Sequence, residues 1–348
     1  MRRTTAYRPI RSGCTDGRSY PRSGTALWLS LPPGSGLEAT TYSYDAVVNR
    51  RRRSIPSGLL GWLRYLASPT RRAETLYDLA ADRLLIANAS APLANMGFWR
   101  NVDPAAPNSL ERANLALFDL VNDAAGLDDA SRVVDAGSGF GLNAIRVARR
   151  APNCAVVGIN RSQVQIAMSR ELAGRAGLAD RIRFLRADVH ELPFADASVD
   201  RVLSVEAAFH FHARDRFFAE VYRALVPGGW LSMVDLVPLP PRGPVDRVAW
   251  RFTRRGLAIP DANVTTLDAY RASLERAGLE VTVFRSIVAD VYPAFRRWQL
   301  RQPLRALVRV PPLLALSSAG FLFYPWDYVQ VVARRPMQPH DVLRARGR

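Results

Sequence analysis

The chain has 348 residues, 48% hydrophobic and 23% charged. That is room for one large domain with additions, or for two small ones, and no apolar run reaches the roughly 18 to 20 residues of a membrane helix. Its two cysteines, Cys14 and Cys154, lie far apart, which excludes a disulfide framework or a zinc site and makes a reducing cytoplasm the expectation. The formal charge is +17 and every one of the 48 basic residues is arginine, but these are scattered, often four residues from an acid, rather than striped with aromatics. A nucleic-acid partner is therefore not expected, while attraction to acidic metabolites or a membrane surface stays open.

Residues 1–57 carry 10 arginines against three acids, lack sustained periodicity and read as disordered. Arg2-Arg3 has no apolar stretch close behind it, so an export signal is excluded. The run 50–53 is a solvated charge cluster with peripheral contact to acidic lipid as the alternative. Helices are predicted over 59–66, 73–88 and 110–125, the second with Leu76, Leu79, Ala80, Arg83, Leu84 and Ala87 at helical spacing. Ser109 is the expected N-cap of the third. Together these make an N-terminal helical cap, 58–125, to a domain extending to residue 335.

Between residues 131 and 236 strands alternate with helices: strands 132–135, 155–159, 182–187, 201–204 and 230–235, and helices 142–150, 162–176 and 214–225. Such alternation implies parallel pairing with right-handed crossovers. Val226-Pro227-Gly228-Gly229 reads as a tight helix-to-strand turn. A helical insertion (244–257), a helix (266–277), a strand (279–288), a basic, apolar helical region (291–322) and a last strand (328–333) follow, then a disordered tail from 336.

The most informative stretch is Val133-Val134-Asp135-Ala136-Gly137-Ser138-Gly139-Phe140-Gly141. A buried strand ends in an acid and turns through three glycines into a helix, which leaves unpaired N–H groups at a positive helix end and lets a ligand approach closely. Leu142 stands where a dinucleotide fingerprint needs its last glycine or alanine, and the absence of lysine excludes a Walker loop. In a doubly wound sheet ligands sit at the carboxyl ends of the strands. The second strand is followed by Gly158-Ile159-Asn160-Arg161-Ser162-Gln163-Val164-Gln165, whose Asn160 and Gln165 suit ribose hydroxyls; a polar helix start capped by Ser162 is the simpler account. The third is followed by Ala187-Asp188-Val189 and Leu192-Pro193-Phe194, which suits an adenine amino group and a ring nitrogen, or is merely a loop acid. The fourth is followed by Glu206-Ala207-Ala208-Phe209-His210-Phe211-His212, and the fifth ends at Asp235.

These motifs resemble the class I S-adenosylmethionine (SAM) methyltransferases, over roughly residues 90–240 plus Asp327-Tyr328-Val329. They resemble most closely the small-molecule, natural-product and sugar O-methyltransferases, with similarity to sterol and tocopherol C-methyltransferases. Asn95-Met96-Gly97-Phe98-Trp99 resembles the aromatic segment that closes over the cofactor there. The resemblance implies an α/β fold: a Rossmann-like seven-stranded, mostly parallel sheet with an antiparallel last strand, N-terminal helices and a helical insertion as cap. It implies SAM as the methyl donor, no metal, and a cofactor site of Trp99, Asp135, Gly137, Ser138, Gly139, Gly141, Asn160, Arg161, Gln165, Asp188, Val189 and Glu206. The acceptor is expected to be a hydroxyl of a small secondary metabolite, walled by helices within 244–325, with a carbon or nitrogen of a lipid-like molecule as the alternative. Neighbouring strand ends bring His210 and Asp235 within reach. His210 is accordingly the expected base, Asp235 its orienting carboxylate and Glu206 a further catalytic candidate. Cyclopropane synthases have glutamate where Phe209 stands, which argues against that chemistry. His212 is expected to point elsewhere, and His190 and His340 have no context that gives them a role. Oligomeric state is not legible in the sequence.

Overall fold

The computed structural model describes residues 95–130, 132–301 and 326–337. The segment 1–57, the expected helices at 59–66 and 73–88, His340 and the stretch 302–325 lie outside the described residues. Seven strands, β1 (Arg132–Ala136), β2 (Ala155–Asn160), β3 (Ile182–Arg186), β4 (Val199–Val205), β5 (Leu225–Pro238), β6 (Glu280–Ser286) and β7 (Trp326–Arg334), form one sheet. Its order is β3-β2-β1-β4-β5-β7-β6. All neighbours are parallel except β7, which runs antiparallel to both β5 and β6.

The central strands are apolar on both faces because both faces are covered. On one side pack α1 (Ser109–Ala125), α2 (Leu142–Arg150), α3 (Gln163–Arg175), α5 (Pro244–Gly256) and α7 (Val288–Leu300), joined through Leu117, Val121, Ile145, Ile166, Trp250 and Val291. On the other lie α4 (Arg214–Ala224) and α6 (Leu267–Arg276), joined through Phe217, Phe218, Val221, Tyr270 and Leu274. The chain winds one way through β2 and β3 and the other through β4 and β5. The switch point, where a crevice opens beyond the strand ends, lies between β1 and β4.

Two local expectations are corrected. Ser109 is not the cap of α1: Asn108 takes that place in the left-handed region (φ +52°) without a side-chain cap, and Ser109 Oγ donates to Pro104 O. Residues 226–229 are not a free turn but a bulge inside β5. Leu225 pairs with Val199 and Trp230 with Arg201, so Val226-Pro227-Gly228-Gly229 faces Asp200 alone, and Gly228 N–H is held by Arg335 O. Sheet pairing on both sides overrides the local turn signal. Among the described residues no helix is long and apolar enough to cross a membrane.

Candidate active site

A cleft open to solvent lies at the switch point. Its floor is the turn from β1 into α2. Gly137 has φ +79°, and a Cβ there would collide with Ala207 Cβ; Gly139 has φ +53° with open space above it. Gly137 and Ser138 N–H both donate to Ile159 O and Gly141 N–H to Ser138 O, so fewer N–H groups remain for a ligand than the bare motif suggests. The N-terminal, positive end of the α2 dipole lies at this turn. Gly141 shapes the turn without lining the cleft, and its N-cap backbone is left-handed.

Asp135, at the end of β1, is 2% exposed. Its Oδ1 faces Asn143 Nδ2 at 3.5 Å, and Asn122 Nδ2 holds Asn143 Oδ1 at 3.0 Å. Asp135 Oδ2 and Ser138 Oγ are buried without a partner. Burial raises the Asp135 carboxyl to about 7, against the opposing bonds from Asn143 and the Ala144 N–H. Buried polar atoms are normally bonded, and an unpartnered carboxylate oxygen beneath the cleft is suited to a ligand's cationic group.

Beyond β2, Asn160 Nδ2 donates to Gln165 Oε1 at 2.7 Å and to Gly139 O at 3.2 Å, and Asn160 Oδ1 accepts the Ser162 N–H. Asn160 is thus spent within the loop, and Gln165 retains its amide donor towards the cleft that both residues line. Ser162 does cap α3, accepting Gln165 N–H, so the structural and the binding account of this segment hold together.

Beyond β3 the wall is Ala187, Val189 and His190, and Asp188 stands behind it. Asp188 Oδ1 takes the His190 Nδ1–H at 2.5 Å and the His190 backbone N–H at 3.0 Å, while Oδ2 lies 3.8 Å from Arg161 Nη1. The bond from the His190 ring holds the Asp188 carboxyl well below its usual range, against burial. Ala213 N–H donates to His190 Nε2 at 3.2 Å, which makes Nδ1 the protonated nitrogen. His190, without a role from the sequence alone, is therefore the side chain this region presents to the cleft; the Asp-x-His spacing that lets one carboxylate hold the second residue on was its only signal. His212 lies against the His190 ring, with centroids 3.8 Å apart and the planes tilted by 48°, and does not line the cleft.

Beyond β4, Glu206 adopts φ +47°, a left-handed conformation that costs a non-glycine residue about 1–2 kcal/mol. Its Oε1 accepts Met96 N–H at 2.6 Å and Tyr328 O–H at 2.5 Å. Burial raises this carboxyl to about 7, with the two bonds opposing. His210 follows on a single 3-10 turn, Ala208–His210, and lines the same wall. Burial lowers its imidazole to about 4, leaving the ring neutral at physiological pH.

The expected His210–Asp235 pair is not formed. Asp235, fully buried, accepts Phe209 N–H at 2.9 Å and Tyr270 O–H at 2.9 Å and meets Arg214 Nη1 at 3.3 Å. Parallel neighbours bring the strand ends together, but the Asp235 side chain points under the turn instead of towards the cleft. Trp99 is likewise core: its indole N–H donates to Met96 O at 2.7 Å and it packs on Ala113 and Ala294. Asn95, from the same motif, lines the cleft in its place, together with Phe118 from α1. Phe118 carried no signal distinguishing it from the other apolar residues of that helix.

Residues 134–233 match a family model described as a methyltransferase domain. The chain is 34% identical over 204 residues to a 27-O-demethylrifamycin SV methyltransferase of Amycolatopsis mediterranei, covering 59% of this chain and 72% of that protein. It belongs to the SAM-dependent methyltransferases. An erythromycin 3''-O-methyltransferase of Saccharopolyspora erythraea is 29% identical, with 67% of this chain and 76% of that protein covered. Among solved structures, the [4+2]-cyclase SpnF superposes with a TM-score of 0.62 at 26% identity, over 78% of this chain and 97% of that one. The cyclase shows that this architecture is not tied to one reaction; in this methyltransferase the donor set itself fits SAM. The orphaned Asp135 suits a ligand cation, the start of α2 a carboxylate, and Gln165 a ribose. Among the described residues no group of three or more His, Cys, Asp or Glu is placed to hold a metal.

Proposed function

We propose that this methyltransferase methylates a hydroxyl of a small natural product, with His210 as the proton acceptor. The observation that carries the reading is the imidazole of His210 on the cleft wall beyond β4, in the same cleft as Glu206 and the glycine turn. Bound SAM supplies an electrophilic methyl group on a sulfonium leaving group. What remains for the protein is to hold the acceptor oxygen in line and to take its proton. The oxygen's electron pair forms the new C–O bond, the C–S pair stays on sulfur, and the proton passes to the imidazole. On this reading Asp135, Gln165, His190 and Val189 serve the donor, and Asn95, Phe118, Glu206, His210 and Phe211, which line the same cleft, serve the acceptor. The likeness to an erythromycin 3''-O-methyltransferase and a 27-O-demethylrifamycin SV methyltransferase supports a natural-product hydroxyl as the acceptor class.

His210→Ala is expected to lower kcat by about 10²–10⁴-fold, the range for general-base groups, with SAM affinity by calorimetry nearly unchanged. Unchanged turnover removes His210 from this role.

A second reading takes a carbon or nitrogen of a lipid-like molecule as acceptor. It rests on Glu206, whose carboxyl in the cleft wall sits near 7 and so can exchange a proton at physiological pH. Labelled-methyl transfer from SAM into a metabolite extract, with the methyl located in the product by NMR, separates the two.

A further inference from the structure

The insertion that follows β5 returns to the site in an unexpected place. Asn263, 1% exposed, donates from Nδ2 to both Phe209 O and Phe211 O, at 2.8 Å each. These are the carbonyls on either side of His210. Arg214 Nη2 fixes Asn263 in turn through its carbonyl at 2.7 Å, and lies with its guanidinium 4.5 Å over the Tyr270 ring. Asp235 holds the N–H of Phe209 from below, itself gripped by Arg214 and Tyr270. The same loop presents a carbonyl to the ring: Ala258 O lies 3.5 Å from His210 Nδ1. Ala258 reaches this position in a left-handed conformation, φ +54°, that alanine adopts only under constraint.

We infer that the loop 257–263, with Arg214, Asp235 and Tyr270, is the positioning device of His210. Asn263 and Asp235 clamp the peptide groups flanking it, and the Ala258 carbonyl selects the imidazole tautomer. A carbonyl only accepts, so it favours the proton on Nδ1 and leaves Nε2 as the basic nitrogen. Residues far apart in the chain thus supply the orientation that Asp235 alone was expected to give. The inference rests on His210 acting at the site, but its test does not.

The test uses the full chain with 15N-labelled histidine and two-bond 1H–15N correlation spectra, without any acceptor. The four histidines are assigned by subtraction with His210→Gln. Wild type is expected to show His210 as a single Nδ1–H tautomer. Asn263→Ala is expected to average the two tautomers while SAM, titrated calorimetrically, binds within about twofold of wild type. Should Asn263→Ala fail to fold, Tyr270→Phe takes its place, with a partial shift in the same direction expected. A wild-type Nε2–H signature, or an unchanged signature in the folded variants, overturns the inference. Loss of turnover on His210→Ala is a separate result, so failure of the positioning device and failure of the base assignment are told apart.

Discussion

Asp135 is buried under the cleft with Oδ2 unbonded, and its carboxyl sits near 7 instead of 3.8. Between these values the unfolded chain has released the proton that the folded one keeps, so this group's contribution makes the ligand-free protein less stable as pH rises from about 4 to 7. A cation bound beside Asp135 favours the ionised form. SAM affinity is therefore expected to rise with pH through about 7, with proton release at lower pH seen by calorimetry in buffers of different ionisation enthalpy. Asp135→Asn should abolish that dependence and weaken SAM binding, while raising the Tm of the ligand-free protein by about 2–4 °C for each kcal/mol recovered. A pH-independent affinity in wild type would remove Asp135 from the cofactor's cationic end. At this scale the sequence was legible where one residue follows a strand directly. Asp135, Gln165, Glu206 and His210 all reach the cleft because they stand at strand ends or one turn beyond. It was not legible where a side chain's direction decides. Asp235 stands at the right register and turns under the chain, and Asp188 spends itself on His190.

The turn between β1 and α2 is one element with two different glycine requirements. Alanine at either Gly137 or Gly139 must accept a left-handed backbone, worth about 1–2 kcal/mol. At Gly137 it also meets Ala207, whereas at Gly139 it enters open space on the ligand side. Gly137→Ala is expected to show the larger fall in Tm, and Gly139→Ala the smaller fall with a clear loss of SAM affinity. Equal losses of Tm and affinity in both variants would contradict this division. The elements themselves were largely readable, since doubly covered parallel strands appear as short apolar runs between helical periods. The bulge in β5 and the start of α1 were not. In each, tertiary contacts won: Arg335 O on Gly228 N–H, and a left-handed Asn108 in place of a side-chain cap.

Across the whole molecule, β7 fills the gap between β5 and β6, pairing with β5 over 326–334 and with β6 over 329–334. Arg335 ties its end back, donating from Nη1 to the carbonyls of Tyr222, Arg223 and Leu225. Removing residues 326–348 should therefore leave no cooperative thermal transition by circular dichroism; a protein that still melts cooperatively would show that β7 is dispensable. The fold was legible because it follows from one regular alternation, and of the residues expected to bind the donor, Asp135, Gly137, Ser138, Gly139, Asn160, Arg161, Gln165, Val189 and Glu206 line the cleft while Trp99, Asp188 and Gly141 do not. The rest of the cleft was not legible, because Phe118 enters it by its side-chain direction on α1 and the His210 turn is held by the 257–263 loop, where no spacing rule applies. Tyr328 draws a further consequence from that late strand. It reaches from β7 to Glu206 and helps hold this strained residue at the cleft wall. A nascent chain that has already emerged past β5 carries the whole glycine turn, yet cannot complete Glu206's hydrogen bonds until residues 326–334 have been translated and inserted between two waiting strands.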